Sequence, residues 1–438
     1  MKVYLKIYKS AIFAFIALSF SLSLFAQDLD SAQLEQNLFD SLYIEGIREF
    51  DKKAGEQNFQ IAISALEEAT KLRPMNASAH YYLAYAYSGF NRINSFGSSY
   101  RDRSLTIRSS EQLQLAIHLQ PNFPPKLNLS PYSKITAEWA ALALYYLTEK
   151  ETDSAYWAFQ QGFSRGGFSN FMLNIRRMQL DRCPENAILF TKGDDNYWNF
   201  LYLQTVEEYR TDVAIIDLGL LSNYWYQQML IDDFTINFTP SPQSMMDYSI
   251  VSWNDTIIEI PISNSGRVFS WLYEARGSNP YYLYAADIAM ISIVNQNKFQ
   301  RPTLFTLGVP QSDYQNLWSE VRDEILLNNI IPMQKNRLST EDYDTLAVNI
   351  LNRINYINND SYDERLQLNS IRRSILNRVY LDWLSTVDAD KENAKKLLSL
   401  LLKKLPESKY PYLDDETREL MLDFKNVILE EGYSSNYN

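Results

Sequence analysis

The chain has 438 residues, a net charge of −12, 46% hydrophobic and 21% charged residues, enough for two or three domains with real cores and not a disordered composition. The acidic balance carries no clustered basic footprint, which excludes nucleic acid as an expected partner and makes an anionic membrane surface a poor one. One cysteine, Cys183, and two histidines, His80 and His118, rule out an intramolecular disulfide and a Cys/His zinc site; no cofactor is expected.

Lys2, Lys6 and Lys9 precede an apolar run from Ala11 to Phe25 that ends at Ala26-Gln27. That order of charge, apolar stretch and small residue predicts a signal peptide over residues 1–26, and the run is shorter than a bilayer-spanning helix needs. Taking three lysines and no acid from a net charge of −12 leaves −15, and a periplasmic or secreted location is expected.

From residue 27 to 183 the pattern is helical. Phe59, Ala62, Leu66, Ala69 and Leu72 fall on one helical face that Pro74 closes, and Leu38–Phe50 supplies a helix before it. Ala79–Ser88 restarts the cycle, Glu111–Leu119 ends at Pro121, and Ile135–Leu147 with Ser154–Phe163 forms a third pair. This succession resembles tetratricopeptide repeats, interrupted by insertions at Phe90–Ser104 and Asn122–Ser133. The resemblance implies a concave face that grips a protein or glycoprotein partner, with Tyr81, Tyr82, Tyr85, Trp139 and Tyr145 as its candidate contacts. The plainer alternative is that the repeats pack against the next domain.

Residues 184–335 read as an α/β domain. Ala187–Thr191 is a short buried strand, Tyr197–Tyr209 repeats at helical spacing, and Val213–Leu218 is a second β-branched run, so strand, helix and strand form a βαβ unit with parallel strands. Further on, Asn223–Leu230 predicts a helix and Asp247–Ile262 a hairpin turning at Asn254-Asp255. Val268–Ala275 and Leu317–Leu327 predict helices, Pro302–Val309 a buried strand and Ile330–Met333 an edge strand. Residues 336–438 form a helical, repeat-like tail, and the fold class is therefore α+α/β.

In open α/β sheets ligands bind beyond the carboxyl ends of the strands. Gly193, Asp194, Asp195 and Asn196 follow the first strand, and Asp217 ends the second, so these residues are the candidate small-ligand or metal-binding set. The simpler role for the loop is that Gly193 turns the chain and an acid caps the following helix. No nucleotide-phosphate fingerprint or nucleophile elbow is present, Cys183 has no histidine near it in sequence, and no catalytic residue is assigned.

The segments Pro184–Asp195, Glu207–Leu221, Trp225–Met229, Arg301–Phe305 and Leu405–Tyr412 resemble the soluble C-terminal part of a bacterial family of multi-pass membrane proteins related to protein O-mannosyltransferases. That family's loop typically reads Gly-Asp-Asn-Asp-Thr, whereas this chain has Gly193-Asp194-Asp195-Asn196-Tyr197. The resemblance implies an accessory module of the same envelope compartment, linked to glycoprotein handling, and carries no transferase activity because the family's catalytic part is its membrane portion. The expected function is a non-enzymatic interaction or assembly module, with a glycan-related ligand site at Asp194, Asp195 and Asp217 as the alternative.

Overall fold

The computed structural model describes residues 33–429 except 96, 246–249, 264–265, 278–279, 333–337, 355–356 and 359–360, and describes only the backbone at 194–195 and 244–245. The expected signal peptide lies outside the described residues.

Several early helices start where a polar side chain answers the free N–H groups of the first turn. Asn58 accepts from Gln60 and Ile61 at 3.1 and 3.3 Å, Asn76 from Ala79 at 2.9 Å, and Asp102 from Ser104 and Leu105 at 2.7 and 3.2 Å. The helices are α1 (residues 33–48), then α2 (Phe59–Leu72), α3 (Ala77–Ile93), α4 (Arg103–Leu119), α5 (Pro131–Thr148), α6 (Thr152–Ser164) and α7 (Asn170–Arg182). Neighbours in sequence pack together, and α2 buries Phe59, Ala62, Leu66 and Ala69, the stripe its spacing predicts. Part of each expected insertion is helical, because α3 runs on to Ile93, α4 begins at Arg103 and α5 begins at Pro131.

The sheet begins after α7 with β1 (Ile188–Thr191), α8 (Asp194–Val206) and β2 (Ala214–Asp217), the βαβ unit read from the sequence. Helices α9 (Tyr224–Phe234) and α10 (Pro242–Met245) follow, then β3 (Ile250–Ser252), β4 (Thr256–Pro261), β5 (Val268–Tyr273), β6 (Tyr282–Tyr284), α11 (Ala285–Asn297), β7 (Thr303–Thr306), β8 (Val321–Asp323) and β9 (Leu327–Ile330). The main sheet has the order β2-β1-β7-β9-β8, with β2, β1 and β7 parallel and β9 antiparallel to β7 and β8. Its three parallel strands are buried at every position, as a sheet covered on both faces requires. The tail is α12 (Thr340–Arg353), α13 (Tyr362–Trp383), α14 (Asp388–Lys404) and α15 (Asp415–Phe424).

Several local expectations give way. Val268–Ala275 is not a helix: β5 alternates exposed and buried residues, with Phe269, Trp271 and Tyr273 inside, so period two overrides the apolar density that suggests a helix. Asn254-Asp255 does not close a β3–β4 hairpin, because β4 pairs with β5 and β3 with β6; Asp255 instead accepts from Ala275 N at 2.9 Å and holds the open end of the β4–β5 ribbon. Leu317–Leu327 is mainly a 3₁₀ turn and strand β8, which forms one edge of the sheet, while Ile330, expected in an edge strand, ends the inner strand β9; Met333 lies outside the described residues.

Three of the quoted family-like segments, Pro184–Asp195, Glu207–Leu221 and Arg301–Phe305, meet at the amino ends of the parallel strands. Arg210 grips Asp212 with both guanidinium arms at 2.7 and 2.8 Å and donates to the carbonyls of Leu180 and Pro184 at 2.5 and 3.1 Å. Asp212 accepts from Asn186 N at 3.0 Å, and Arg301 donates to Asn186 O at 2.7 Å and Phe234 O at 3.1 Å. These arginines satisfy chain carbonyls between elements, which a buried backbone requires. Their place at the foot of the sheet is structural.

The helical and α/β parts share one continuous core. Phe159 and Phe168 pack on Tyr202 of α8 with ring centroids 5.7 and 4.9 Å apart. In the tail, Asp363 at the start of α13 accepts from Ser130 Oγ.

Candidate functional site

The first aromatic candidates are core residues. Tyr81 and Trp139 are fully buried, so neither lies on an open groove. The Tyr81 hydroxyl accepts from Leu127 N at 3.0 Å and donates to Leu129 O at 2.7 Å, and Tyr85 makes the same pair with Leu129 N and O, each at 2.9 Å. The α4–α5 connection therefore lies across these tyrosines, its backbone satisfied by their hydroxyls. Tyr82 and Tyr145 are half-buried, edge-on to Tyr43 and Tyr100. His80 sits between Gln112 Oε1 at 2.7 Å and Pro74 O at 2.9 Å, a satisfied helix-packing histidine, and His118 is exposed. Burial pushes the Cys183 thiol up to about 12, which keeps it protonated and unreactive.

At the carboxyl ends of β1 and β2 the acidic loop is a fold device in its described part. Gly193 takes φ +94°, a conformation costly for other residues, and starts α8. Asp217 is buried, accepting from Gly193 N at 3.2 Å and Leu220 N at 3.0 Å, so its carboxylate ties the post-β1 and post-β2 loops together. Asn196 donates to Lys192 O at 2.9 Å and fills the space over Gly308, where any Cβ would collide with its amide. The side chains of Asp194 and Asp195 lie outside the described residues. Among the described residues no group of three or more His, Cys, Asp or Glu is placed to hold a metal.

The same sheet end holds a charged crevice that the sequence reading did not single out. Strand β1 is the switch point: the chain leaves it through α8 to β2 on one side, and β7 pairs on its other side. Lys192 follows β1, Arg276 follows β5, Asp287 opens α11 and Asp313 lies in the turn after β7. Lys192 Nζ reaches Asp313 Oδ2 at 2.5 Å. Arg276 makes a two-armed pair with Asp287, both contacts 2.7 Å, and a third contact of 3.3 Å to Asp313 Oδ1. Asp287 also accepts from Tyr284 N at 3.0 Å, which fixes the start of α11. The hydrogen bond to Asp287 raises the Arg276 pKa further and holds the guanidinium charged. With Tyr284 and Ser222 these groups line a cleft of about 210 Å³. Alternating donors and acceptors at one mouth suit hydroxyl groups, which give and take hydrogen bonds at once. Only Lys192, the residue next to the strand end, carried a positional signal. The others come from three separate segments.

Residues 173–274 match the family model TMEM260-associated domain 2, a match that agrees with the resemblance to O-mannosyltransferase-related proteins. It spans α7 through the end of β5, including Lys192 and Asp217, and stops short of Arg276. No curated protein and no solved structure matches the chain. No helix among the described residues is long and apolar enough to cross a membrane.

Proposed function

We propose that this chain is a non-enzymatic binding module of the bacterial cell envelope, exported through residues 1–26, whose α/β part seats a polyhydroxylated, glycan-like ligand and links the module to glycoprotein handling. The observation that carries the reading is the convergence of Lys192, Arg276, Asp287 and Asp313 in one cleft at the switch point of the sheet. The resemblance to O-mannosyltransferase-related proteins and the match over residues 173–274 support the glycan direction. Sugar recognition by planar charged pairs follows from their geometry, since fixed acceptors and donors read hydroxyl positions.

The protein-partner reading retains Tyr82 and Tyr145 as half-exposed contacts, but it has lost the anchors Tyr81 and Trp139 to the core. The test is calorimetric titration of the purified mature protein with mannose, glucose, N-acetylglucosamine and mannobiose. Binding of at least one sugar, weakened about tenfold in Asp313→Asn with an unchanged melting temperature, supports the reading. Absence of heat from all four sugars, or equal affinity in the variant, overturns it.

A further inference from the structure

A second pocket lies where the helical repeats meet the α/β part. It holds about 200 Å³ and is lined by the end of α3, the α3–α4 loop, α5, α8 and the start of α9. Domain junctions of this kind are a preferred place for small-molecule sites. Its charge is opposite to that of the acidic chain around it. Arg92, Arg101 and Lys134 face it with one carboxylate, Glu138.

That carboxylate is already committed. Lys134 Nζ lies 2.8 Å from Glu138 Oε1 and donates to Ser88 Oγ at 2.7 Å, and Ser88 in turn donates to Glu138 Oε1 at 2.5 Å. Among the described residues Arg92 and Arg101 have no carboxylate within ion-pair distance. Arg101 donates one arm to the Tyr100 carbonyl at 2.7 Å and is half-buried. Burial lowers its pKa, Glu138 raises it and the like charge of Arg92 lowers it again. A desolvated guanidinium with no counterion is a costly arrangement that an arriving anion relieves. The indole N–H of Trp225, which also lines the pocket, is buried without a hydrogen-bond partner, so one more donor is unspent. Trp198 supplies an apolar wall beside it.

We infer that this pocket binds a small oxyanion-bearing ligand of monosaccharide size, its phosphate or carboxylate group held by Arg101 and Arg92 and its body lying against Trp198 and Trp225. The arginine fork matches either oxyanion, and two arginines around one anion outweigh the buried Glu138–Lys134 pair. The site is separate from the strand-end crevice and does not rest on the reading given for it.

The test is titration of the mature protein at low salt with inorganic phosphate, glucose 6-phosphate, glucuronate and uncharged glucose, followed by calorimetry and tryptophan fluorescence. At least one of the three anions is expected to bind while glucose does not, and the arms identify the anion: the two phosphates binding alone points to phosphate, glucuronate binding alone to carboxylate. Arg101→Gln is expected to weaken binding about tenfold and the exposed Arg92→Gln about threefold, with affinity falling as salt rises. Arg92→Gln removes no packed group and so decides the matter if Arg101→Gln melts early. No binding of any anion at about 10 mM, binding of glucose as tight as that of the anions, or wild-type affinity in Arg92→Gln and Arg101→Gln would overturn the inference.

Discussion

The tyrosines of the repeat helices and the charges at the strand ends meet solvent in opposite ways. Tyr81 and Trp139 sit on α3 and α5 among small residues that let helices approach, and the chain covers them with its own α4–α5 connection and with α6. Lys192, Arg276 and Asp313 stand on connections that follow strands, and they pair with one another at the wall of a cleft. Residue type therefore misleads without topology: aromatic residues expected on a repeat face became packing, while charged residues that residue type alone does not single out gather around a cleft beyond the sheet. Loops held by a rigid scaffold are where binding groups are expected to concentrate.

The contrast can be broken from the packing side first. Trp139→Ala is expected to cost about 3–5 kcal/mol in urea unfolding, because it empties a fully buried aromatic site beside Phe168. A loss below about 1 kcal/mol would mean that Trp139 is available at the surface after all. On the charged side, Arg276→Met leaves Asp287 and Asp313 without their shared cation, and a loss of about 1–3 kcal/mol is expected, discounted because the arginine is partly exposed. An unchanged melting curve would argue that the crevice is not pre-organised. Tyr81→Phe tests the covering loop more finely: removing one hydroxyl frees Leu127 N and leaves Leu129 O to Tyr85 alone, and about 1–2 kcal/mol is expected, with faster amide exchange confined to residues 121–130.

The smallest expected effect concerns acid. The Arg210 hydrogen bond holds Asp212 at about 2, well below the ordinary carboxylate range. A depressed carboxylate contributes stability that is complete above about pH 4 and lost as pH falls towards 2. Arg210→Met should therefore lower stability at pH 6, with a gap to wild type that narrows towards pH 2 and keeps the part due to the Leu180 and Pro184 carbonyls. Parallel stability curves across that window would remove Asp212 from the account of acid unfolding.

The backbone plan of residues 33–217 was largely legible because its signals are local. The Phe59–Leu72 stripe closed by Pro74 and the short apolar runs Ala187–Thr191 and Val213–Leu218 each need only neighbouring residues to act. Strand β5 was not read although its alternation is plain, because a dense aromatic run satisfies helical and strand patterns over so few residues. The pairing of β4 with β5, and of β3 with β6, depends on tertiary packing that no turn signal specifies. At the candidate site, Asp217 was legible as a strand-end carboxylate, yet its oxygens are engaged by Gly193 and Leu220. Arg276, Asp287 and Asp313 carry no mutual signal in sequence, since only the sheet's topology brings them together.

The most direct measurement sets the two regions against each other in one titration. Whichever sugar of the four binds the mature wild-type protein is titrated into Asp313→Asn and into Tyr82→Ala/Tyr145→Ala, each verified as folded by its thermal melt. The expected result is an affinity about tenfold weaker in Asp313→Asn and unchanged in the tyrosine variant. Full affinity in Asp313→Asn with loss in the tyrosine variant would contradict a ligand seat at the strand ends and return function to the repeat face.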